Sequence, residues 1–524
     1  MKKHFISLLA LCAFLLTGCE FVTLSINSNG QNNSDSTSSN QTSDSTMPTT
    51  GSTKIEIYAT NDIHGQIMEE SGRAGILEFA TFMKQRSDEK NTLLIDQGDT
   101  WQGSIYSNYN HGELMTDMFN YIKYDARTIG NHDFDWGADY IAKNTAKTYD
   151  GYATPVLAGN IYDFNFSTKK VGTTQQSNLG RKSVTYTLDN GVKVGILGCI
   201  GKGQITSISS NFTTNIAFTD HIKFIKDEAT HLRNDEKCNV VIASIHAGQE
   251  DVLGNELNKY VDLVLCGHTH REESESEEGL YYVQNSGYAQ GISRITLTYD
   301  YAKKDITRTT INRIAGYDIN NNVSVIDPAV QNIYTSYVDA CQTAAQEVLA
   351  TNLTGYWNMS ENVENLMAKA IFDETVKEGY DVCLSYVNVA RHDLKTSPWT
   401  YADLYQSFPF DNTVYIADIK GSEFLYEIAH YNYIYRNPAF TTNKIDPNGT
   451  YRIAVLDYLY FHTNESRYYD YFNTTGGSST ITLTKNYREI LRDWLKDNGY
   501  NSGTELNANN YSSDLWQHDR TVFN

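Results

Sequence analysis

Seven side chains that could hold cations fall in five short blocks: Asp62-Ile63-His64, Gly98-Asp99, Gly130-Asn131-His132-Asp133, His246, and Gly267-His268-Thr269-His270. The candidate ligands are Asp62, His64, Asp99, Asn131, His246, His268 and His270. Carboxylates, imidazoles and one amide form a hard-to-borderline donor set that suits Mn, Zn, Fe or a similar divalent ion. Two such ions about 3.5–4 Å apart make a clamp for in-line displacement at phosphorus. A lone His or Gly-Asp pair would carry little weight, but each block directly follows a hydrophobic run. Together the five blocks predict a dinuclear hydrolytic site.

Those hydrophobic runs must position the blocks. Lys54 to Thr60 alternates polar with apolar residues and leads into Asp62. Thr92 to Ile95 leads into Gly98-Asp99, Val240 to Ile245 ends at His246, and Val261 to Cys266 ends at Gly267-His268. Val192 to Leu197 is a further β-branched run. Between them, Ile76, Leu77, Ala80 and Met83 recur at helical spacing, as do Leu114, Met115, Met118, Phe119 and Ile122, then Ile222, Ile225, Ala229 and Leu232. Strand, loop and helix in alternation predict an α/β layered domain, with ligands at the carboxyl ends of strands. Gly65, Gly98, Gly130 and Gly267 would let the backbone turn tightly beside the metals.

After about Thr310 the pattern changes. Asp327-Pro328 fits an N-cap and first helical position, and Val330, Ile333, Tyr337, Cys341, Ala344 and Val348 share one face. This predicts a long connecting helix reaching about Ala350. The chain then mixes helices and strands to about Gly499, as an α+β domain would. Ile490, Leu491, Trp494 and Leu495 mark a late amphipathic helix, with Gly499 as its stop. The acidic run Glu272 to Glu278 reads as a solvated loop.

Lys2 and Lys3 precede an apolar stretch, Ile6 to Leu16, too short to span a membrane and typical of a secretory signal. It ends in Leu16-Thr17-Gly18-Cys19, which resembles a bacterial lipobox and makes Cys19 the candidate lipidation site. The expected organisation is a lipoprotein signal peptide at 1–18, a disordered polar tether at 19–53, a catalytic domain at 54–310, a linker with the connecting helix at 311–352, a second domain at 353–500 and a polar tail at 501–524. The formal charge is −21, and −23 once Lys2 and Lys3 leave, so no nucleic-acid polymer is expected as a partner. The cysteines beyond Cys12 and Cys19 are Cys199, Cys238, Cys266, Cys341 and Cys383, scattered singly and read as small buried hydrophobes.

Ile57 to Gly65 and Tyr124 to Asp135 resemble the two hallmark segments of the bacterial 5'-nucleotidase / UDP-sugar hydrolase family, a branch of the calcineurin-like metallophosphoesterases. The resemblance runs through Gly98-Asp99, Val241 to Gly248 and Asp262 to His270, and so covers about residues 54–300. Asp133 departs from it, since the family usually has Glu there. The resemblance implies an αββα sandwich for the first domain. It places Asp62, His64 and His270 on one metal, Asn131, His246 and His268 on the other, and Asp99 between them. It gives His132 the scissile phosphate and the leaving oxygen, with Asp135 orienting the imidazole and a metal-bound hydroxide attacking.

The second half resembles the family less closely. Phe408-Pro409-Phe410-Asp411-Asn412 is similar to the family's Pro-Phe-Gly-Asn segment, which implies that Phe410 stacks on a nucleobase and Asn412 bonds its edge. Tyr458, at the end of the strand from Tyr451, becomes the opposite stacking face. Arg391 aligns with a loop arginine, but that loop has lost its glycines, and no arginine stands between Gly355 and Leu366. The ribose-binding Asp is matched only weakly, by Asp470.

Taken together the sequence predicts an extracytoplasmic, lipid-anchored 5'-nucleotidase-like phosphoesterase that binds nucleotides or related small phosphoesters and serves nucleotide catabolism. A UDP-sugar, a 2',3'-cyclic nucleotide or another small phosphoester is the alternative substrate. A surface binding protein with a structural metal site is the non-enzymatic alternative, against which stands the His132–Asp135 pair.

Overall fold

A computed structural model describes residues 47–512, apart from 67, 70–71, 166, 169, 210–211, 389, 396–397, 423–433, 437–444 and 461–480. The expected signal peptide, Cys19, most of the tether, Asp470 and the end of the polar tail lie outside the described residues.

The first half is built on two six-stranded sheets. One has the order Asp305–Ala315, Gly291–Asp300, Ser52–Thr60, Thr92–Asp96, Ala126–Thr128, Val156–Leu157. The other runs Glu273–Glu277, Leu280–Gln284, Leu263–Leu265, Val240–His246, Lys193–Ile200, Ser183–Thr187. In each, the central strands that lead into the ligand blocks are parallel to their neighbours on at least one side. Ile55, Ile57, Ala59, Leu93 and Ile95 of one sheet pack against Val194, Ile196, Val240, Ile242 and Leu265 of the other. The outer faces are covered by helices. Ile76–Ser87 and Glu113–Ile122 bury Phe79, Met83, Leu114 and Met118 against one sheet, and His221–Asn234 buries Ile225, Ala229 and Leu232 against the other. The result is an αββα sandwich. Strands buried on both faces read as nearly unbroken apolar runs, and Val240–His246 is buried along its whole length.

The helix after the sandwich spans Pro328–Ala345, capped by the Asp327 carboxylate on the Ala329 N–H. It stops short of Ala350, because Val348–Ala350 leaves the helical path to pair as a strand with Trp399–Thr400. Leu349 and Ala350 are buried there, so tertiary pairing overrides the helical pattern. The following α+β domain has a five-stranded sheet in the order Ile434–Arg436, Leu384–Tyr386, Thr450–Leu456, Thr413–Lys420, Ile481–Asn486. Helices Asn362–Lys377 and Tyr487–Asp497 contribute Leu366, Ile371, Ile490 and Leu491 to its core. Tyr487–Asp497 opens with an Asn486/Glu489 capping box, and Gly499 just beyond it takes a left-handed conformation.

Glu273–Glu277 is a strand rather than a loop, pairing with Leu280–Gln284 at the edge of its sheet. Glu275 and the serines on either side of it are exposed there, and the charge helps to blunt an edge that would otherwise invite pairing. The five cysteines of the described residues are free thiols, four of them buried. Among the described residues no helix is long and apolar enough to cross a membrane.

Candidate metal centre and substrate cavity

Each ligand block sits at the last residue of a strand or in the loop just past one, so the sandwich brings five distant stretches of chain to one end of its paired sheets. Asp62, His64 and His270 converge in one cluster, and Asp99, His246 and His268 in a second, each with its donor atoms within 4.8 Å of one another. Asp99 Oδ2 lies 3.2 Å from His246 Nε2 and 3.8 Å from His64 Nε2, which places it between the clusters. Asn131 Oδ1 is 3.0 Å from His246 Nε2 and 2.9 Å from His268 Nδ1.

Backbone carbonyls fix the imidazoles. His64 Nδ1 donates to Gln102 O at 2.9 Å and His246 Nδ1 donates to Gln97 O at 2.8 Å, leaving each Nε2 as a lone pair aimed inward. Asn61 Nδ2 donates to Asp62 Oδ2 at 2.6 Å, and the His268 N–H reaches the same oxygen at 2.9 Å. Close approach accounts for two glycines. A Cβ on Gly98 would meet Gly130 N at 2.8 Å, and one on Gly130 would collide with Asp99 Oδ1. Beneath them Asp133 pairs with Arg127 at 2.5 Å, both buried, and accepts from the Gly130 N–H at 2.8 Å. Its role is therefore to shape the Gly130-Asn131-His132 turn.

The donor set fits a pair of cations. His246 Nε2 faces the acceptors Asn131 Oδ1 and Asp99 Oδ2 and becomes a third acceptor once unprotonated, and the buried Asn131 Nδ2 has no hydrogen-bond partner. In the protein alone, burial would lower the His246 imidazole, but the Asp99 carboxylate outweighs it and raises the group to about 9. That proton occupies the place a cation would take. Burial holds His64 down to about 3 and His268 down to about 4, which keeps both neutral and ready to ligate.

His132 stands beside the clusters. Its N–H donates to Asp99 Oδ1 at 2.8 Å and its Nδ1 donates to Asp135 Oδ2 at 3.0 Å. Burial opposes its charge, yet Asp135 and Asp99 raise its pKa above the usual imidazole value. The imidazole thus has a proton to give.

A cavity of about 400 Å³ opens over this floor. Asp99, Asn131, His132, Asp135, His268 and His270 line it from the first half, and Arg391, Phe410, Asn412 and Tyr458 from the second. Phe410 stacks on His132 with ring centroids 5.0 Å apart, and the Arg391 guanidinium lies 4.9 Å from the Phe410 centroid. Asn412 Nδ2 donates to Asp457 Oδ1 at 2.7 Å. Burial raises the Asp457 carboxyl to about 6. Asp457 had no separate signal in sequence, nor did the carbonyls of Gln97 and Gln102, since any residue type can supply a carbonyl. Phe212, with Ser207 and Ser209, forms another wall from the first half. The Phe408–Asp411 segment is held from both sides. Gln102 and Asn108 donate to Pro409 O at 2.6 and 2.7 Å, Trp136 Nε1 donates to Asp411 at 2.8 Å, and the buried Arg488 pairs with Asp411.

A two-sheet sandwich with paired acceptor clusters at its loop end defines a class, and residues 55–272 match the calcineurin-like phosphoesterase family. That stretch, a little over two fifths of the chain, forms a calcineurin-like phosphoesterase domain. Its described structure resembles the 5'-nucleotidase precursor of Thermus thermophilus, with a TM-score of 0.67 at 18% identity over 85% of this chain and 96% of that one. The whole is thus a phosphoesterase domain followed by a 5'-nucleotidase-type second domain in fold. Among curated proteins, the trifunctional nucleotide phosphoesterase YfkN of Bacillus subtilis is 24% identical over 72% of this chain and 27% of its own length. A snake venom 5'-nucleotidase of Naja atra is 31% identical over 42% of this chain and 41% of its own. The match spans less than half of either relative.

Proposed function

We propose that the protein is an extracytoplasmic, lipid-anchored hydrolase that removes phosphate from nucleotides. The observation that carries this reading is the single cavity in which two acceptor clusters, the His132–Asp135 pair and the aromatic residues Phe410 and Tyr458 meet. Asp62, His64 and His270 hold one divalent cation, Asn131, His246 and His268 the other, and Asp99 both. When bound, the two ions supply an activated water and neutralise charge on the phosphoryl oxygens. His132 donates its proton to the leaving oxygen, and Asp135 keeps the imidazole turned toward it. Arg391 meets the phosphate or an adjoining anionic group. Phe410 and Tyr458 take the faces of the base, and Asn412, steadied by Asp457, takes its edge. The YfkN and venom relatives, both named for action on nucleotides, support this assignment.

One observation favours a second reading. Among the described residues lining the cavity, Arg391 is the sole Lys or Arg, whereas Asp135, Asp411 and Asp457 all line it. A cavity so poor in cations suits a diester, with one charge per phosphate, better than a dianionic monoester. A UDP-sugar, a 2',3'-cyclic nucleotide or another small phosphoester therefore competes with the 5'-monophosphate.

Phosphate release by the Mn-loaded protein from AMP, ADP, UDP-glucose, 2',3'-cyclic AMP and bis-p-nitrophenyl phosphate tests both, with a coupled phosphatase for the diesters. AMP should be preferred and His132→Ala should lower its turnover by at least about 100-fold. Turnover of the generic diester alone would discard the nucleotidase assignment, and turnover of nothing by a metal-loaded protein would favour a binding protein. The anchor rests on Lys2, Lys3, the apolar run and Cys19, and Cys19→Ser should release the protein from membranes.

A further inference from the structure

Tyr288 sits in a turn that the chemistry above does not use. Both Tyr288 and Ala289 are left-handed, at φ 62° and 55°, a conformation unfavourable for residues with a Cβ. Strain of this kind persists only where the surroundings fix it, and here they do. The Tyr288 N–H donates to Asp62 O at 2.7 Å, Ala74 N–H to Ala289 O at 3.0 Å, and Gly316 N–H to Gln290 O at 2.8 Å. The turn presses so closely that a Cβ on Gly287 would lie 3.0 Å from Asp62 O and 3.2 Å from His270 Cγ.

The turn delivers the Tyr288 ring onto two imidazoles. Its centroid is 5.2 Å from that of His64, with planes 31° apart, and 4.9 Å from that of His270, edge to face at 88°. The Arg73 guanidinium lies 5.2 Å from the same ring. His64 Nε2 and His270 Nε2 are 3.2 Å apart, and their common direction depends on ring orientation. His64 has a carbonyl on Nδ1 to orient it. His270 is the more exposed of the two, and within the centre it meets His64, Asp62 and the Tyr288 ring. Tyr288 lines a small pocket beside the main cavity with His64, His132 and Arg391, and its ring contacts the two imidazoles.

We propose that Tyr288 is a positioning residue for the Asp62–His64–His270 cluster, its ring holding the two imidazoles in the convergent geometry that binds a divalent cation. The inference rests on the reading that this cluster holds a metal. It is independent of which phosphoester is cleaved.

The test uses Mn, counted per chain by equilibrium dialysis and observed by electron paramagnetic resonance. Tyr288→Gly is the informative variant, because glycine relaxes the left-handed backbone while removing the ring. Wild type should bind two Mn with a spin-coupled spectrum. Tyr288→Gly should bind one at the same free concentration, with an uncoupled spectrum and an affinity for the lost ion reduced about 10- to 100-fold, the range found when partners that orient metal ligands are removed. Tyr288→Phe, which keeps the ring, should bind two. The retained ion in Tyr288→Gly reports that the second cluster is still folded. Two ions bound by Tyr288→Gly with unchanged affinity would overturn the positioning role alone, and so would loss of both ions or loss of one from Tyr288→Phe. A wild-type chain that binds no ion would overturn the metal reading with it.

Discussion

The phenyl ring of Phe410 lies flat against the imidazole of His132, 5.0 Å between centroids and 19° between planes. One residue comes from the second half of the chain and the other from the loop after Ala126–Thr128, so the two halves meet ring to ring above the acceptor clusters. The Phe410 face turned to His132 is not open to a nucleobase. A base must use the opposite face or displace the ring. Stacking on one aromatic side chain is worth about 1–3 kcal/mol, which corresponds to roughly 5- to 150-fold in affinity. Phe410→Ala should therefore raise the KM for AMP within that range, and leave the KM for glycerol phosphate, which has no base, within about threefold. Steady-state kinetics on the two substrates decides it. Equal losses on both would mean that Phe410 serves His132 and not the base.

His132 should affect rate and spare metal content. Its imidazole contacts Asp135 through Nδ1 while its backbone N–H holds Asp99, and it belongs to neither acceptor cluster. Removing a general acid typically costs about 100- to 10,000-fold. His132→Ala should lower kcat for AMP by that order while elemental analysis still finds two ions per chain. Asp135→Asn, which keeps the shape but loses the charge, should have a smaller effect. Loss of metal from His132→Ala would make the residue a ligand.

The sandwich was legible because its signals are local. Runs such as Val240–His246 are apolar and β-branched, and the helices between them repeat at 3.6 residues. The five blocks could be found because each follows such a run. What could not be read was whatever depends on residues distant in sequence. Val348–Ala350 reads as helix until Trp399–Thr400 is there to pair with it. Glu272–Glu278 reads as loop because acidic residues are poor strand formers, yet Leu280–Gln284 draws most of it into a sheet edge. Nothing near Phe410 in sequence announces His132 beneath it. The left-handed backbone of Tyr288 had no signal either, since neither Tyr nor Ala marks such a turn. Asp133 is a different case, its residue type visible but its purpose fixed only by Arg127 at 2.5 Å.

Glu364 gives a prediction about pH and stability. Its side chain is fully buried on helix Asn362–Lys377, with one oxygen accepting from the Ala390 N–H at 2.8 Å and the other without a hydrogen-bond partner. Burial raises it from 4.5 to about 9, and the Ala390 bond offsets this only in part. The folded state therefore keeps a proton that the unfolded state has lost between pH 5 and 9, so this residue's contribution to stability falls as pH rises through that window and levels off above it. Glu364→Gln keeps an acceptor for Ala390 without the titration. The melting temperature of wild type relative to Glu364→Gln should drop by several degrees between pH 6 and 9, and metal effects cancel in the difference. A constant difference across that range would show that Glu364 is not the group responsible.

Metal removal should destabilise the fold as well as stop turnover. Asp62, His64, Asp99, His268 and His270 all adopt left-handed φ angles between 51° and 79°. Each such residue costs about 1 kcal/mol or more, so this arrangement stores on the order of 5 kcal/mol that backbone hydrogen bonds and bound cations must offset. The same five residues hold acceptors that repel one another without a cation between them. A ligand present at about a thousandfold above its Kd stabilises by about 4 kcal/mol, or roughly 4–8 °C for a chain of this size. Chelation should lower the melting temperature by that amount, and Mn should restore it. The strain makes a further distinction. Asp62→Gly relaxes the backbone but removes a carboxylate, so its metal-free form should melt no lower than metal-free wild type, while its rise on adding Mn should be cut by at least half. A full rise in Asp62→Gly would mean that the Asp62 carboxylate does not take part in holding the ion.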